Sequence, residues 1–320
     1  MNNLVSGAAF GAALTASGVY QPSVIISQLK FENFHMIQAF LTATGASAAL
    51  VAAAQKLGLI NPSPRSFSSL GVFAPYDGNI IGGVLLGTGM LLAGACPGTV
   101  LAQVGVGVRS GYYALEGATI AGIVWAGFLR HHLRCGAPKG TKITVYESLG
   151  LNRSTLLVAF DTFCAAAVVA AYSLTSLGPE AKLHPALGGL FIAGAQLASI
   201  LLRKNLMGTS TSYEEVGDWF WGVFKGDVPQ RYANIVFCTG MVGGAWLLSR
   251  TYPALAQVTD VAIDPLTAGI GGFLMILGSR IAGGCTSGHG ISGMSLFSTS
   301  SFLTIGTAFA WGGLLGRLLG

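Results

Sequence analysis

Long apolar stretches separated by short charged or proline-rich breaks dominate the chain from end to end. A helix needs roughly 20 mostly apolar residues to cross about 30 Å of hydrocarbon, and shorter runs accommodate by local adjustment. The pattern therefore predicts an all-α polytopic membrane protein with about nine transmembrane helices. The predicted spans are residues 4–18, 36–57, 80–95, 112–130, 154–175, 185–202, 232–249, 265–284 and 301–318.

Stretches rich in glycine, proline and serine follow the first, third, sixth and eighth predicted spans. Segments of about ten residues at such positions are typical of re-entrant half-helices, because irregular backbone at membrane depth is tolerated only where protein or water covers it. We therefore expect four re-entrant segments. Their sequences are SGVYQPSVIISQL, CPGTVLAQVGVG, MGTSTSYEEV and CTSGHGISGMSLF.

Composition agrees with a location in the lipid bilayer. The 320 residues are 52% hydrophobic and only 9% charged, with a mean hydropathy of +0.64, which is too apolar for a water-soluble domain. The first twenty residues lack a basic leading segment and a clear cleavage site, so they are interpreted as the first span rather than as a secretory signal. No basic tract interleaved with aromatic residues occurs, and we expect no nucleic-acid partner.

Lysine and arginine indicate the orientation. They are concentrated in the connections that face the cytoplasm if the amino terminus lies inside, as the positive-inside rule requires. The sequence therefore predicts a multi-pass protein of the cell membrane with a cytoplasmic amino terminus and an outer carboxyl terminus.

The chain contains an internal repeat. GGVLLGTGMLLAGAC at 82–96 aligns without gaps with GGFLMILGSRIAGGC at 271–285, and a weaker match joins 4–14 to 187–197. Self-similarity of this kind indicates a duplicated structural unit. The identical pairs in the stronger match are Gly82/Gly271, Gly83/Gly272, Leu85/Leu274, Gly89/Gly278, Ala93/Ala282, Gly94/Gly283 and Cys96/Cys285.

The repeat divides the chain into three parts. Residues 1–135 form a first repeat, 136–178 hold a basic loop and one linking span, and 179–320 form a second repeat. Corresponding spans are separated by an odd number of crossings, so the second repeat is expected to lie inverted in the membrane. Inverted repeats with interrupted helices are typical of transporters, and place the substrate path at the interface between the repeats.

Each repeat carries one cysteine in a glycine-rich turn, Cys96 in GACPGT and Cys285 in GGCTSGHG. Such a turn before a half-helix presents unpaired N–H groups and the positive end of the helix dipole, which suits an anion. Pro97 fits the first helical position, and Thr286 and Ser287 are candidate caps and hydroxyl donors. The glycines that allow close approach of a ligand are Gly94, Gly98, Gly283, Gly284 and Gly288.

The thiols narrow the choice of anion. A neutral thiol is a weak donor and a soft contact, so two of them suit a sulfur-bearing anion better than chloride or phosphate. The five cysteines show no CxxC spacing, which argues against a zinc site or a disulfide framework. A metal site at His131, His132 and Cys135 is not expected, because no fourth ligand is in view. We interpret Cys164 and Cys238 as small buried hydrophobes. No GxGxxG or P-loop motif suggests a cofactor, and we expect none.

The paired motifs GACPGT and GGCTSGHGISG, within duplicated apolar halves, resemble those of the YeeE/YedE family of membrane proteins. This resemblance implies an hourglass-like fold with re-entrant helices from both membrane faces, and a thiosulfate path through Cys96 and Cys285. It also implies a further cysteine near the first re-entrant turn, where this chain has none; Tyr20, Gln21 or Ser23 are the alternative donors there. A cytoplasmic sulfur-accepting protein is a partner by analogy.

Three ionisable residues leave alternatives open. His289 either orients substrate or carries a proton, or caps and packs the turn. Asp161 is either a functional intramembrane acid or a residue placed favourably against the helix dipole. Arg280 either neutralises an anion at the inner mouth or extends towards the lipid headgroups, and the latter is preferred.

The expected function is therefore a transporter, not an enzyme, that takes up thiosulfate or a related sulfur anion. A passive aquaporin-like channel for a small solute is one alternative. A membrane sulfurtransferase with Cys285 as the nucleophile is the other.

Overall fold

The computed structural model describes residues 1–132, 134–135, 142–175, 182–227, 229–258 and 261–319. Within these ranges the regular secondary structure is almost entirely helical, and loops connect the helices. The described strands are an antiparallel pair of two residues each, Ser68–Ser69 (β1) and Arg134–Cys135 (β2), and a bridge joins Thr144 and Ser298. In chain order the α-helices are α1 (Asn2–Ala16), α2 (Pro22–Leu29), α3 (His35–Lys56), α4 (Asp77–Ala93), α5 (Thr99–Val106), α6 (Arg109–Val124), α7 (Val145–Leu149), α8 (Arg153–Leu174), α9 (Pro185–Arg203), α10 (Ser210–Lys225), α11 (Ala233–Thr251), α12 (Pro265–Ile281) and α13 (Thr299–Leu318).

Helices cover all of the predicted spans. Five of them are long and apolar enough to cross a membrane by length and composition, namely α3, α6 with its π-helical continuation Trp125–Leu129, α8, α9 and α12. The shorter α4 is also apolar. The all-α membrane class is therefore confirmed, whereas the number of crossings stays a prediction.

Short helices occupy the stretches predicted to be re-entrant. The helices α2 and α5 and the π-helical segment Thr286–Gly293 each have eight residues. At a rise of about 1.5 Å per residue such a segment is about 12 Å long, well short of the hydrocarbon thickness. The helix α10 has 16 residues, longer than expected, because its aromatic residues continue the apolar face beyond the glycine- and serine-rich start.

Glycines allow the helices to pack backbone against backbone. Gly7 and Gly11 of α1 lie against the backbone of Phe237 and Met241 in α11, as their spacing of four predicts. The helices α4 and α12 approach as closely, since a Cβ at Gly82 would lie 2.6 Å from the amide nitrogen of Ala282. Small residues therefore hold the centre of the bundle together.

The linking helix α8 lies at the periphery. It packs on α3, and only 17% of its apolar window is buried. Cys164 is buried in a cluster with Phe160, which confirms its interpretation as a small hydrophobe. Asp161 is the ninth residue of α8 and lies beyond the first turn, so the helix-dipole explanation is wrong, because that effect fades within one turn.

An ion-pair network joins α10, α12 and the short helical turn Arg130–His132 that follows the π-helical continuation of α6. Arg280 pairs with Glu214, and Arg130 contacts Glu214 at 3.1 Å and Asp218 at 2.9 Å. The Arg280 guanidinium also lies 5.7 Å from the centroid of the Trp125 ring. The prediction that Arg280 extends towards headgroups is therefore wrong, because a carboxylate distant in sequence holds it within the protein.

Candidate functional site

The first cysteine turn connects α4 to α5. Gly94 ends α4 in a left-handed conformation, with φ of 55°, which glycine adopts without strain. The Cys96 N–H donates to Thr99 Oγ1 at 2.7 Å, and the Thr99 N–H donates to the Cys96 sulfur at 3.4 Å. The Val100 N–H donates to the Cys96 carbonyl. The helix α5 begins only at Thr99, with Gly98 as its N-cap, so the prediction that Pro97 occupies the first helical position is wrong, because Pro97 lies in the turn before the helix.

The second cysteine turn connects α12 to the π-helical segment. Gly283 adopts φ of 84°, and Cys285 is the N-cap residue, fully buried. Its sulfur lies 3.3 Å from the Thr209 hydroxyl and 3.3 Å from the Ser287 hydroxyl. The expected capping by Thr286 or Ser287 is wrong, because the segment has no side-chain cap and Ser287 contacts the thiol instead.

The two turns meet through the start of α10. The Tyr213 hydroxyl donates to the Pro97 carbonyl at 3.1 Å. The Thr209 methyl carbon lies 3.8 Å from the position of a Cβ at Gly98. Because Thr209 also contacts Cys285, this residue lies between the two cysteine turns, whose cysteines are 189 positions apart in the sequence. The sequence motif MGTSTSYEEV contains both side chains, although residue types alone did not distinguish them.

A cavity of about 40 Å³ lies between the turns, larger than the ~10–15 Å³ that one water needs. Apolar side chains from α1, α3 and α9 cover the rest of its wall. The Thr286 hydroxyl, buried at this wall, has no hydrogen-bond partner within the described part of the chain, whereas Cys285 lies behind Ser287. The turn residues that line it are Cys96, Gly98, Thr99, Thr286, Ser287 and Ile291.

His289 is held on both sides by the protein. Its Nε2 lies 3.1 Å from the Ala282 carbonyl and its Nδ1 lies 2.8 Å from the Ser301 hydroxyl. Because a carbonyl only accepts, Nε2 carries the hydrogen and Nδ1 accepts from Ser301. A Cβ at Gly284 would lie 2.9 Å from this ring. These contacts favour the packing role of His289.

Arg65, in the loop between α3 and α4, braces the second turn. Its Nε donates to the Gly288 carbonyl at 2.8 Å and its Nη1 to the Gly283 carbonyl at 2.9 Å. The chain separation is more than two hundred residues. The sequence indicated only a positive charge near the membrane, and no local pattern pointed to this contact.

The first re-entrant turn offers few free donors. The Tyr20 hydroxyl donates to the Gln257 carbonyl at 2.9 Å. The Gln103 side-chain amide donates to the carbonyls of Tyr20 and Gly94, each at 2.8 Å, and so ties this turn to the first cysteine turn. The Ser23 hydroxyl is buried with no hydrogen-bond partner among the described residues.

A metal centre has no support in the part of the chain that the structure describes, where no group of three or more potential ligand residues comes together. Of the basic-loop residues considered earlier, residues 136–141 and the side chains of His132 and Cys135 lie outside the described residues.

The chain combines apolar helices with short, interrupted helical segments that surround a buried polar turn. This arrangement is typical of helical membrane proteins of the transporter class. The family model described as sulphur transport matches residues 16–315, and the chain therefore belongs to the sulphur transport (YeeE/YedE) family.

Two relatives differ in extent. The chain is 24% identical over 322 aligned residues to the thiosulfate transporter TsuA of Spirochaeta thermophila, covering 94% of this chain and 93% of the relative. It is 32% identical over 133 residues to a probable transporter of Xylella fastidiosa, covering 40% of this chain and 91% of that relative.

Proposed function

We propose that this protein carries thiosulfate, or a related sulfur-containing anion, inward across the cell membrane. The path runs through the two cysteine turns, with Cys96 and Cys285 as successive soft contacts and without covalent chemistry. Membership of the sulphur transport family supports the class of substrate, and similarity to a thiosulfate transporter supports the particular anion.

The observation that carries the proposal is the buried cluster of Cys285, Thr209 and Ser287, which Thr209 connects to the turn of Cys96. Removing a dianion from water costs tens of kcal/mol in a bare apolar medium. Hydroxyl, thiol and turn N–H groups replace part of the water shell. Because these groups are neutral, they stabilise the anion without holding it permanently, as a permeation site requires.

The helix packing supports two inverted repeats, in residues 1–135 and 179–320. Gly82 packs on Ala282, and Gly271 packs on Ala93. In the repeat alignment, position 82 is equivalent to 271 and position 93 to 282, so these two contacts are the same contact with the two repeats exchanged. The helix pairs follow the same exchange, since α1 packs on α11 while α9 packs on α3. An hourglass-like arrangement with the path at the repeat interface agrees with this symmetry.

The amino terminus and the carboxyl end of α9 lie at the same end of the bundle, since the Asn2 side chain donates to the Leu202 carbonyl. The concentration of lysine and arginine supports a cytoplasmic location for this end. A cytoplasmic sulfur-accepting protein would receive the anion there.

The test measures uptake of labelled thiosulfate, and growth on thiosulfate as sole sulfur source, in cells that lack their own uptake system. Cys96→Ala and Cys285→Ala should lose uptake, whereas Cys164→Ala, a buried cysteine of the peripheral helix α8, should retain it. Wild-type uptake by Cys285→Ala would exclude the thiol path. A persulfide trapped on Cys285 would instead favour the sulfurtransferase, and equal flux of neutral solutes would favour the passive channel.

A further inference from the structure

A second and larger cavity opens at the amino-terminal end of the bundle. Its volume is about 420 Å³, and we call it the arginine chamber. Its wall is formed by the loop before α4, the carboxyl end of α9 with the segment that follows it, and the starts of α10 and α11. The π-helical segment Thr286–Gly293 contributes Ser292 to this wall. The polar side chains that line the chamber are Ser63, Arg65, Arg203, Asn205, Thr211, Asn234 and Ser292.

The arginine chamber keeps an excess of positive charge. The ion pairs in the described ranges all involve Arg130 or Arg280, so neither Arg65 nor Arg203 is neutralised by a carboxylate in contact. In the described part of the chain, the Arg65 guanidinium donates to the carbonyls of Gly288 and Gly283. The carboxylate of Glu215 acts on Arg203 without forming an ion pair with it. Its oxygens accept instead from the backbone and side-chain amide of Asn234 and from the Ile235 N–H.

Arg203 has hydrogen-bonding capacity left over. Its Nε donates to the Asn3 side chain at 3.2 Å and its Nη2 to the Asn234 side chain at 3.3 Å. Its Nη1 is buried without a hydrogen-bond partner in the described part of the chain. The Arg203 guanidinium carbon also lies 4.2 Å from the centroid of the Phe237 ring. An unpaired buried guanidinium nitrogen is costly, and a rotation of this guanidinium towards the chamber would let an anion oxygen satisfy it.

Only a narrow glycine contact separates the arginine chamber from the thiol of Cys285. Gly208 lines the chamber and immediately precedes Thr209. A Cβ at Gly208 would lie 3.7 Å from the Gly288 Cα, and a Cβ at Gly288 would lie 3.7 Å from the Cys285 sulfur and 3.1 Å from Arg65 Nη2. The chamber therefore adjoins the second cysteine turn through two residues without side chains.

We propose that the arginine chamber is a second anion-binding site, in which Arg65 and Arg203 hold a divalent sulfur oxyanion after it has passed Cys285. The inference rests on the proposed function and adds a site to it. Guanidinium groups recognise charge and oxygen atoms rather than sulfur, so this site accepts sulfate as well as thiosulfate. Selection for sulfur then belongs to the thiol turns, and the chamber collects the anion.

Binding is tested on the full-length Cys285→Ala protein in detergent, where the thiol contact is absent. Thermal unfolding is followed as sodium sulfate or sodium thiosulfate is added, with sodium chloride at equal ionic strength as the reference. Both divalent anions should raise the unfolding temperature in a saturable way. No saturable shift beyond that of chloride would overturn the proposal.

A matched pair of variants places the site. Ser63 is exposed in the chamber wall, so Ser63→Asp adds a negative charge and Ser63→Asn adds the same volume without charge. In the Cys285→Ala background, Ser63→Asp should weaken sulfate binding at least tenfold, whereas Ser63→Asn should bind as before. Equal affinities in the two variants would mean that the anion binds elsewhere.

Uptake into proteoliposomes separates this inference from the proposed function. With an otherwise native chain, Ser63→Asp should slow thiosulfate flux severalfold relative to Ser63→Asn. If Cys285→Ala transports thiosulfate at the wild-type rate, the proposed path past the thiol is wrong, regardless of the result for the Ser63 variants. If Cys285→Ala is inactive but Ser63→Asp matches Ser63→Asn in both flux and binding, the thiol path stands and the chamber proposal fails.

Discussion

Replacing Gly208 with alanine should slow transport without unfolding the protein. Gly208 is not among the glycines with positive φ, so alanine fits its backbone. The added methyl carbon would lie 3.7 Å from the Gly288 Cα and 3.9 Å from Arg65 Nη2. These are ordinary van der Waals separations, and the methyl group therefore fills the gap without a clash.

The size of the effect follows from the opening that an anion requires. On the proposed path, the segments carrying Gly208 and Gly288 separate for an anion to pass, and with alanine they would have to separate further by the width of a methyl group. The methyl group fits the closed contact, but it takes up space that the passing anion needs, and an extra methyl in a space that is already filled costs about 1–3 kcal/mol. At about 1.4 kcal/mol per tenfold in rate, transport should fall by about 5- to 150-fold.

The assay is thiosulfate uptake into proteoliposomes together with thermal unfolding of the same preparations. The matched control is Gly194→Ala in α9, where a Cβ would meet nothing within 4 Å. This control should transport like the wild type. If Gly208→Ala is folded and transports as fast as Gly194→Ala, the anion does not pass between Gly208 and Gly288, and the connection from thiol to chamber is wrong.

Three further predictions address the thiol cluster, the helix packing and a surface loop. Thr209→Val keeps the shape of the side chain but removes the hydroxyl that lies 3.3 Å from the sulfur of Cys285. Thiosulfate uptake should fall about tenfold, as expected for losing roughly 1.4 kcal/mol of hydrogen bonding to an ion. Unchanged uptake would mean that Thr209 does not contact the anion on its path. Gly11→Ala drives a methyl group into the backbone of α11 and should lower stability by about 1–3 kcal/mol, seen as a lower unfolding temperature than that of Gly194→Ala. Hydrogen bonds from the side chain and then the backbone N–H of Thr144 hold the pKa of Glu147 below its usual value. This capping contact therefore stabilises the fold at pH values above the unfolded-state pKa, and the stabilisation is lost as the pH falls through the folded-state pKa. The difference in unfolding temperature between wild type and Glu147→Gln should shrink as the pH drops below about 4.5, and a difference independent of pH would contradict this prediction.

The positions of the helices were predictable, because uninterrupted apolar runs in a bilayer have few alternatives to a helix. Every stretch predicted as a span carries one, and the two cysteine turns follow from the alignment of 82–96 with 271–285. The length of α10 was not predictable from its glycine- and serine-rich start, because the aromatic residues that prolong it do not form a conventional apolar span.

The residues missed or misjudged share one physical cause. Arg65 contacts Gly288 across 223 positions, and Thr209 contacts Cys285 across 76. Arg280 was expected to reach the headgroups, but Glu214 neutralises it inside the protein. In each case the role depends on a partner brought together by folding, and neither periodicity nor spacing contains that information.

On the proposed path, the placement of the arginines would allow a dianion to be both admitted and released. Beside the thiol, Arg65 Nε and Nη1 bind the Gly288 and Gly283 carbonyls, and these oxygens, which would repel an anion, are thereby occupied. The turn then presents hydroxyl, thiol and N–H hydrogens. Because Arg65 already donates to these two carbonyls, less of its hydrogen-bonding capacity is left for an anion beside the thiol, which favours release over permanent binding. In the chamber, where water screens the charge, the remaining guanidinium capacity attracts the anion onward without trapping it, and the gradient of weak to stronger attraction runs in the direction proposed for uptake.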